Sequence, residues 1–143
     1  VVFACGGGIY TSAAEAAAKV DGKVIGVDSD QAPIIDAYGE GMTVTSAMKG
    51  LAPTVNTLLS AIVLDDTWSD YVGKIDNLGL VSDNVEENYV QLPLESTQWN
   101  DGFTEDDYKT LVADMLAGKI TVDNNIEAMP EVAVTVNDLG NIK

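Results

Sequence analysis

The sequence predicts an α/β fold in which a parallel sheet is flanked by helices, built as one domain over residues 1–143. Three observations predict it. The apolar run Val1–Cys5 is broken by Gly6-Gly7-Gly8 and followed by an alanine-rich stretch. A second apolar run, Val24-Ile25-Gly26-Val27, ends on Asp28, and a third, Met42 to Ser46, precedes a long series with helical spacing. Strands and helices alternating in this order make βαβ units with right-handed crossovers. With 46% hydrophobic residues, a chain of this length has material for one packed core.

Each element follows from local chemistry. Val1–Cys5 lacks polar alternation, which predicts a central strand covered on both faces with Cys5 buried in it. The glycines end that strand. Ser12 and Glu15 have capping-box spacing, and Ala13, Ala14, Ala16, Ala17 and Ala18 favour a helix that stops near Val20 to Gly22. Lys23 to Val27 is the second strand, and Ser29 to Gly41 is loop chemistry with a helical turn around Ile34 to Tyr38. After the third strand, Pro53 opens a helix carried by Val55, Leu58, Leu59, Ile62 and Val63 to about Leu64.

Beyond the polar Asp65-Asp66, two strands, Ile75–Val81 and Asn88–Leu94, flank the acidic turn Ser82–Glu87. Thr104 caps a last helix with Glu105, Asp106 and Asp107 in its first turn and Gly118 as its stop. Its apolar positions Tyr108, Leu111, Val112, Met115 and Leu116 share one face. Lys119 to Val122 reads as a short strand. The tail carries Val132-Ala133-Val134-Thr135-Val136, a segment suited to packing on something else.

Composition narrows the function. Seven basic against 23 acidic residues give a net charge of −16, which repels phosphate backbones and anionic membranes, so no nucleic-acid partner is expected. With no histidine, His-dependent triads and the commonest zinc sites are excluded. The single cysteine, Cys5, forms no intrachain disulfide. Val2-Phe3-Ala4-Cys5-Gly6 has the form of a bacterial lipoprotein cleavage site, but only four residues precede the cysteine and none forms a leader. The opening reads as a strand interior, so the natural protein is expected to begin upstream of it. No stretch approaches the roughly 20 apolar residues of a membrane span.

The sharpest constellation is Gly6-Gly7-Gly8 after the first strand with Asp28 ending the second. In open parallel sheets ligands bind beyond the strands' carboxyl ends. Glycines there admit a ligand close to the backbone, the following helix offers free N–H donors, and a carboxylate can accept both hydrogen bonds of a vicinal diol. Spacing alone leaves three readings open. One is a dinucleotide site, although Thr11 stands where that fingerprint has glycine. Another is a different ribose-type site, and the third is a tight turn beside a solvated acid. Asp28-Ser29-Asp30 fits a calcium loop poorly, because Pro33 and Gly39 occupy the glycine and glutamate positions. No metal or cofactor is expected. No nucleophile has a base nearby in a known motif, which favours a binding module over an enzyme. Trp68, Trp99 and Tyr108 read as packing residues, and Lys49 as either solvated or aimed at the cleft that Asp28 borders.

Three motifs carry a resemblance: Val2-Phe3-Ala4-Cys5-Gly6-Gly7-Gly8, then Ile25-Gly26-Val27-Asp28-Ser29-Asp30-Gln31, then Val44-Thr45-Ser46-Ala47-Met48-Lys49. In order and spacing they resemble the basic membrane protein family, nucleoside-binding lipoproteins of bacterial ABC importers related to the purine nucleoside receptor of spirochaetes. Leu78-Gly79-Leu80 and Ala117-Gly118-Lys119-Ile120 are similar to that family's carboxyl-terminal portion, so the likeness spans essentially the whole chain. It implies a type I periplasmic-binding-protein architecture of two Rossmann-like lobes. This chain would hold most of the second lobe and the tail, with the first lobe outside it. It also implies an extracytoplasmic, membrane-anchored lipoprotein whose partners are a nucleoside, purine favoured, and ABC permease subunits. By the same resemblance Asp28 would hold ribose hydroxyls, Lys49 would reach a ribose oxygen, Gly7 or Gly8 would line the cleft, and Asp30 and Gln31 would support them. Two departures stand out. Ile9-Tyr10 follows the glycines where the family has small residues, so Tyr10 would stack on the ligand or narrow the cleft, and Gly50 replaces a frequent basic residue. The rival expectation is a fragment of an NAD(P)-dependent Rossmann-fold enzyme.

Overall fold

The computed structural model describes residues 1–123 and 125–140. One sheet has the strand order β1 (Val2–Phe3), β2 (Val24–Asp28), β3 (Thr43–Lys49), β4 (Val90–Gln91). The first three run parallel and β4 returns antiparallel beside β3. Helices α1 (Tyr10–Ala18) and α2 (Ala32–Ile35) lie in the two crossovers, α3 (Leu51–Val63) follows β3, and α4 (Glu105–Leu116) comes last. The protein is thus α/β, with a mostly parallel four-stranded sheet flanked by helices.

Two apolar clusters hold it together. In the first, Ala14 and Ala17 of α1 meet Val24, Ile35 and Met42, all buried, with Tyr10 packed at the margin. Alanine at both contact positions brings α1 close to the strand, since no larger side chain keeps the two backbones apart. In the second, Tyr108 and Val112 of α4 close on Val85, with Leu80, Leu92, Leu94 and Trp99 around them. The Trp99 and Tyr108 rings stack with centroids 5.7 Å apart. Both polar tips are used: Trp99 Nε1 donates to the Leu94 carbonyl at 2.9 Å and the Tyr108 hydroxyl accepts from the Leu92 N–H at 3.1 Å.

The expected α4 signals are all present. The Thr104 hydroxyl accepts from the Asp107 N–H while the Asp107 carboxylate accepts from the Thr104 N–H, a reciprocal cap. The Thr104 hydroxyl also donates to the Asp107 carboxylate at 2.7 Å, and that bond, then the one from the Thr104 N–H, holds the Asp107 carboxyl below its ordinary 3.8. Gly118, at φ +71, ends the last turn in the left-handed region.

Several expectations are corrected. The first strand is a two-residue edge strand, not a covered central one: only β2 flanks it among the described residues, so Val2 and Phe3 are exposed. Cys5 lies past its end and is exposed rather than buried. The Ser12–Glu15 box does not form, because the glycines make a 3-10 turn, Gly7–Ile9, that runs directly into α1 and leaves Ser12 inside the helix. The helical turn near Ile34 starts two residues earlier, at Ala32. On α3, Val55, Leu59, Ile62 and Val63 face outward, and the inward positions are Leu58 and the buried Ala61 with Thr54 and Thr57.

No strand forms over Ile75–Val81, over Lys119–Val122 or in the 132–136 segment, and Val132, Val134 and Val136 stay exposed. For the first of these the reason is visible in Asn88, which is fully buried. Its carboxamide oxygen accepts from the N–H groups of Val81 (2.6 Å) and Ser82 (3.0 Å), and its amide donates to the Ser82 carbonyl at 2.9 Å. A side chain has taken the place of a ladder.

Gly50 joins the two halves of the sheet. Its N–H donates to the Tyr89 carbonyl at 2.8 Å, and an added Cβ would lie 2.7 Å from the Tyr89 Cα, against backbone that cannot yield. The close approach explains why glycine stands there. Gly50→Ala should therefore lower unfolding free energy by about 1–3 kcal/mol in chemical denaturation. Gly79→Ala, where a Cβ meets nothing within 4 Å, should stay within about 0.5 kcal/mol.

Candidate functional site

Because β1, β2 and β3 are parallel, their carboxyl ends share one rim, and the chain places three features there: the glycine turn after β1, Asp28 as the last residue of β2, and Lys49 as the last residue of β3. The third strand runs three residues further than its sequence pattern indicates, which is what carries Lys49 to the rim. Its ammonium lies 2.8 Å from Asp28 Oδ1. The side chains are 69% and 42% exposed, so the pair faces solvent and is not locked inside the fold. Hydrogen bonding to Asp28, then the carboxylate's charge, with a smaller contribution from Cys5, raises the Lys49 pKa above its ordinary 10.5. Cys5 stands two residues past the end of β1, on the segment that leads into the glycine turn.

Asp28 is bent out of the strand. Its φ is +70°, and the Ser29 N–H donates to the Val27 carbonyl at 2.8 Å across it, a γ-turn of the rarer hand. A non-glycine residue held there costs on the order of 1 kcal/mol or more. Aspartate is among the few side chains that tolerate the region.

The buried Gln31 builds the rim. Its carboxamide oxygen accepts from the Val27 N–H at 3.0 Å, its amide reaches the Gly7 carbonyl at 3.4 Å, and its backbone N–H donates to the Ser46 hydroxyl at 3.1 Å. One side chain thus ties the end of β2 to the glycine turn, and its backbone ties α2 to β3. Gly26 makes room for it: a Cβ at that position would sit 2.8 Å from the Gln31 Cβ and 2.7 Å from the Ser46 hydroxyl.

Of the residues expected at the site, Gly7, Gly8, Asp28 and Lys49 do lie on this rim. An added Cβ at Gly7 or Gly8 meets nothing within 4 Å, so the turn borders open space. Asp30 has a local role, its Oδ1 accepting from the Ala32 N–H at 3.0 Å to start α2. Tyr10 packs beside the Ala14–Val24 cluster. It is a core-margin residue and not part of the Asp28 pair.

In the sequence Ser46 is read only as the end of the third strand and a member of the third motif, with no role in holding the rim. It is fully buried, and its only signal was a polar residue in mid-strand. A second feature also escaped notice: an apolar groove of about 380 Å³ runs from Lys49 between Ala47, Met48 and Val90 and the α4 residues Leu111 and Met115. Among the described residues no cluster of three potential metal ligands occurs. None of the protein families, curated proteins and solved structures compared with the chain matches it.

Two outcomes follow. Gln31→Leu keeps the bulk but leaves the Val27 N–H without its partner, and should cost about 1–3 kcal/mol in thermal or chemical unfolding. The ion pair has an alkaline signature. A raised folded pKa means its contribution is complete below 10.5 and is lost as pH rises through the folded value. An NMR titration of the Lys49 side chain should show a midpoint above 10.5, and Asp28→Asn should move it down.

Proposed function

We propose that the chain is the greater part of one lobe of a type I periplasmic-binding-like, extracytoplasmic solute-binding protein, and that its rim grips the ribose of a nucleoside. On this reading it is a binding module, not an enzyme. A second lobe closes over the rim, and an ABC permease receives the ligand. The basic membrane protein family supplies the pattern, with a lipidated precursor and purine nucleosides as the favoured cargo.

One observation carries the reading: Asp28, held in a strained turn and paired with Lys49 at the carboxyl ends of adjacent parallel strands, beside the open glycine turn. Lys49 engages Oδ1, and among the described residues Oδ2 has no partner, so the carboxylate keeps acceptor capacity for a diol. The lysine ammonium has three donors and uses one on Asp28, leaving others for a ribose oxygen. An ion pair brings no net charge, and a chain at −16 disfavours phosphorylated ligands, which favours a nucleoside over a nucleotide. When the site closes and water leaves, ligands lacking the hydroxyls would strand these groups unpaired, which is the strongest form of discrimination a binding site has.

Calorimetry on the two-lobed protein with adenosine and inosine tests this. Asp28→Ala should weaken binding by about 1–3 kcal/mol while leaving the fold intact. Unchanged affinity in that variant removes Asp28 from the site, and preference for NADH over both nucleosides would replace the reading with the dinucleotide enzyme.

A further inference from the structure

A pocket of about 370 Å³ lies between α3 and the loop that follows it, and none of the rim residues lines it. Its walls include three aromatic rings, Trp68, Tyr71 and Tyr89, with one carboxylate, Asp76, and one ammonium, Lys74. The Trp68 and Tyr71 rings are 18° from parallel with centroids 6.5 Å apart, which makes a continuous aromatic wall. That wall is anchored, because the Thr67 N–H donates to the Ala61 carbonyl of α3 at 2.9 Å. Tyr89 is anchored as well, its hydroxyl 3.2 Å from that of Thr57.

The position of Lys74 shows what this arrangement accepts. Its ammonium sits 5.8 Å from the Tyr71 ring centroid and 3.3 Å from the Asp76 carboxylate. An alkylammonium ion is therefore already seated against an aromatic face with a carboxylate as counter-charge. The Lys74 side chain is 54% exposed, so it can withdraw into solvent. Aromatic walls with a nearby acid are the chemistry by which proteins hold quaternary ammonium groups, which shed water more readily than a lysine does. The net charge of −16 raises the local concentration of any cation.

We propose that this pocket is a site for a small quaternary alkylammonium ligand, which displaces the Lys74 ammonium from Tyr71 and Asp76. The proposal is independent of the ribose site. Trp68 and Trp99 are the two tryptophans, so Trp99→Phe leaves Trp68 as the sole tryptophan, read selectively by exciting at the red edge where tyrosine does not absorb. Titration with tetramethylammonium or choline chloride, against sodium chloride at matched ionic strength, should give a saturable change in Trp68 emission. Lys74→Met should tighten binding by about threefold or more, by removing the internal competitor, and Asp76→Asn should weaken it by a similar factor. In a second background that keeps Trp99, Trp68→Leu should lose the response, so the test does not depend on the Trp99 variant folding. The proposal is overturned if tetramethylammonium acts no differently from sodium in both parent and Lys74→Met, if Lys74→Met binds more weakly, or if the response survives Trp68→Leu.

Discussion

The carboxamide of Gln31 is the interaction on which this fold's working edge depends. A parallel sheet leaves backbone donors and acceptors unpaired where its strands end, and in a buried setting each of them must find a partner. Gln31 supplies partners to two such ends at once, accepting from Val27 and donating to Gly7. It is itself held through its backbone by Ser46. An alanine at Gly26 would push into both Gln31 and Ser46, so glycine there is a packing requirement of the amide and not a mark of flexibility. The rim is rigid because a polar side chain, bonded through both its oxygen and its nitrogen, occupies the position that an apolar residue would fill at the cost of orphaned backbone groups.

That rigidity lets Asp28 be strained. A residue at φ +70° relaxes unless its neighbours fix both sides of it, and here the Val27 N–H is bonded to Gln31 while the Val27 carbonyl accepts from Ser29. Lys49 then orients the carboxylate from the next strand. Since the ion pair is solvent-facing, its attraction is largely screened and adds little to stability. The arrangement is better understood as positioning than as stabilisation: one carboxylate oxygen is engaged and the other has no partner among the described residues, at a rim where three strands end.

Much of this was legible in the residues. The alternation of apolar runs with alanine-rich and helical stretches marked three parallel strands, and Asp28 closing Val24–Val27 marked the rim, because these signals are local. The Thr104 cap and Gly118 stop were equally local and equally clear. What escaped depends on partners distant in sequence. Val1–Cys5 has the pattern of a covered strand, but covering requires a second neighbour, and no periodicity can report whether one is there. Ile75–Val81 has strand composition, yet Asn88 bonds the backbone at Val81 and Ser82 with its side chain, and a side-chain substitute for a ladder leaves no trace in propensity. Gly50 looked like a departure from a family habit; its cause is the Tyr89 backbone, 39 residues on.

The distribution of positive charge adds a last constraint. Every basic residue is a lysine, seven in all, so the chain has no planar guanidinium with which to clamp a carboxylate or phosphate in two-point fashion. Lys49 and Lys74 each stand beside an aspartate at the mouth of a cavity, Lys49 at the rim and its apolar groove, Lys74 at the aromatic pocket. Such pairs present a cation without presenting net charge. Set in a field of −16, they leave anions unfavoured at either place. The two sites then differ by what surrounds the pair. Strand ends and glycines give hydrogen-bonding groups suited to a sugar, whereas stacked rings give an apolar, electron-rich face suited to a soft cation. On both proposed readings the aspartate is the fixed element and the lysine the adjustable one, sharing the ligand at Lys49 and yielding to it at Lys74.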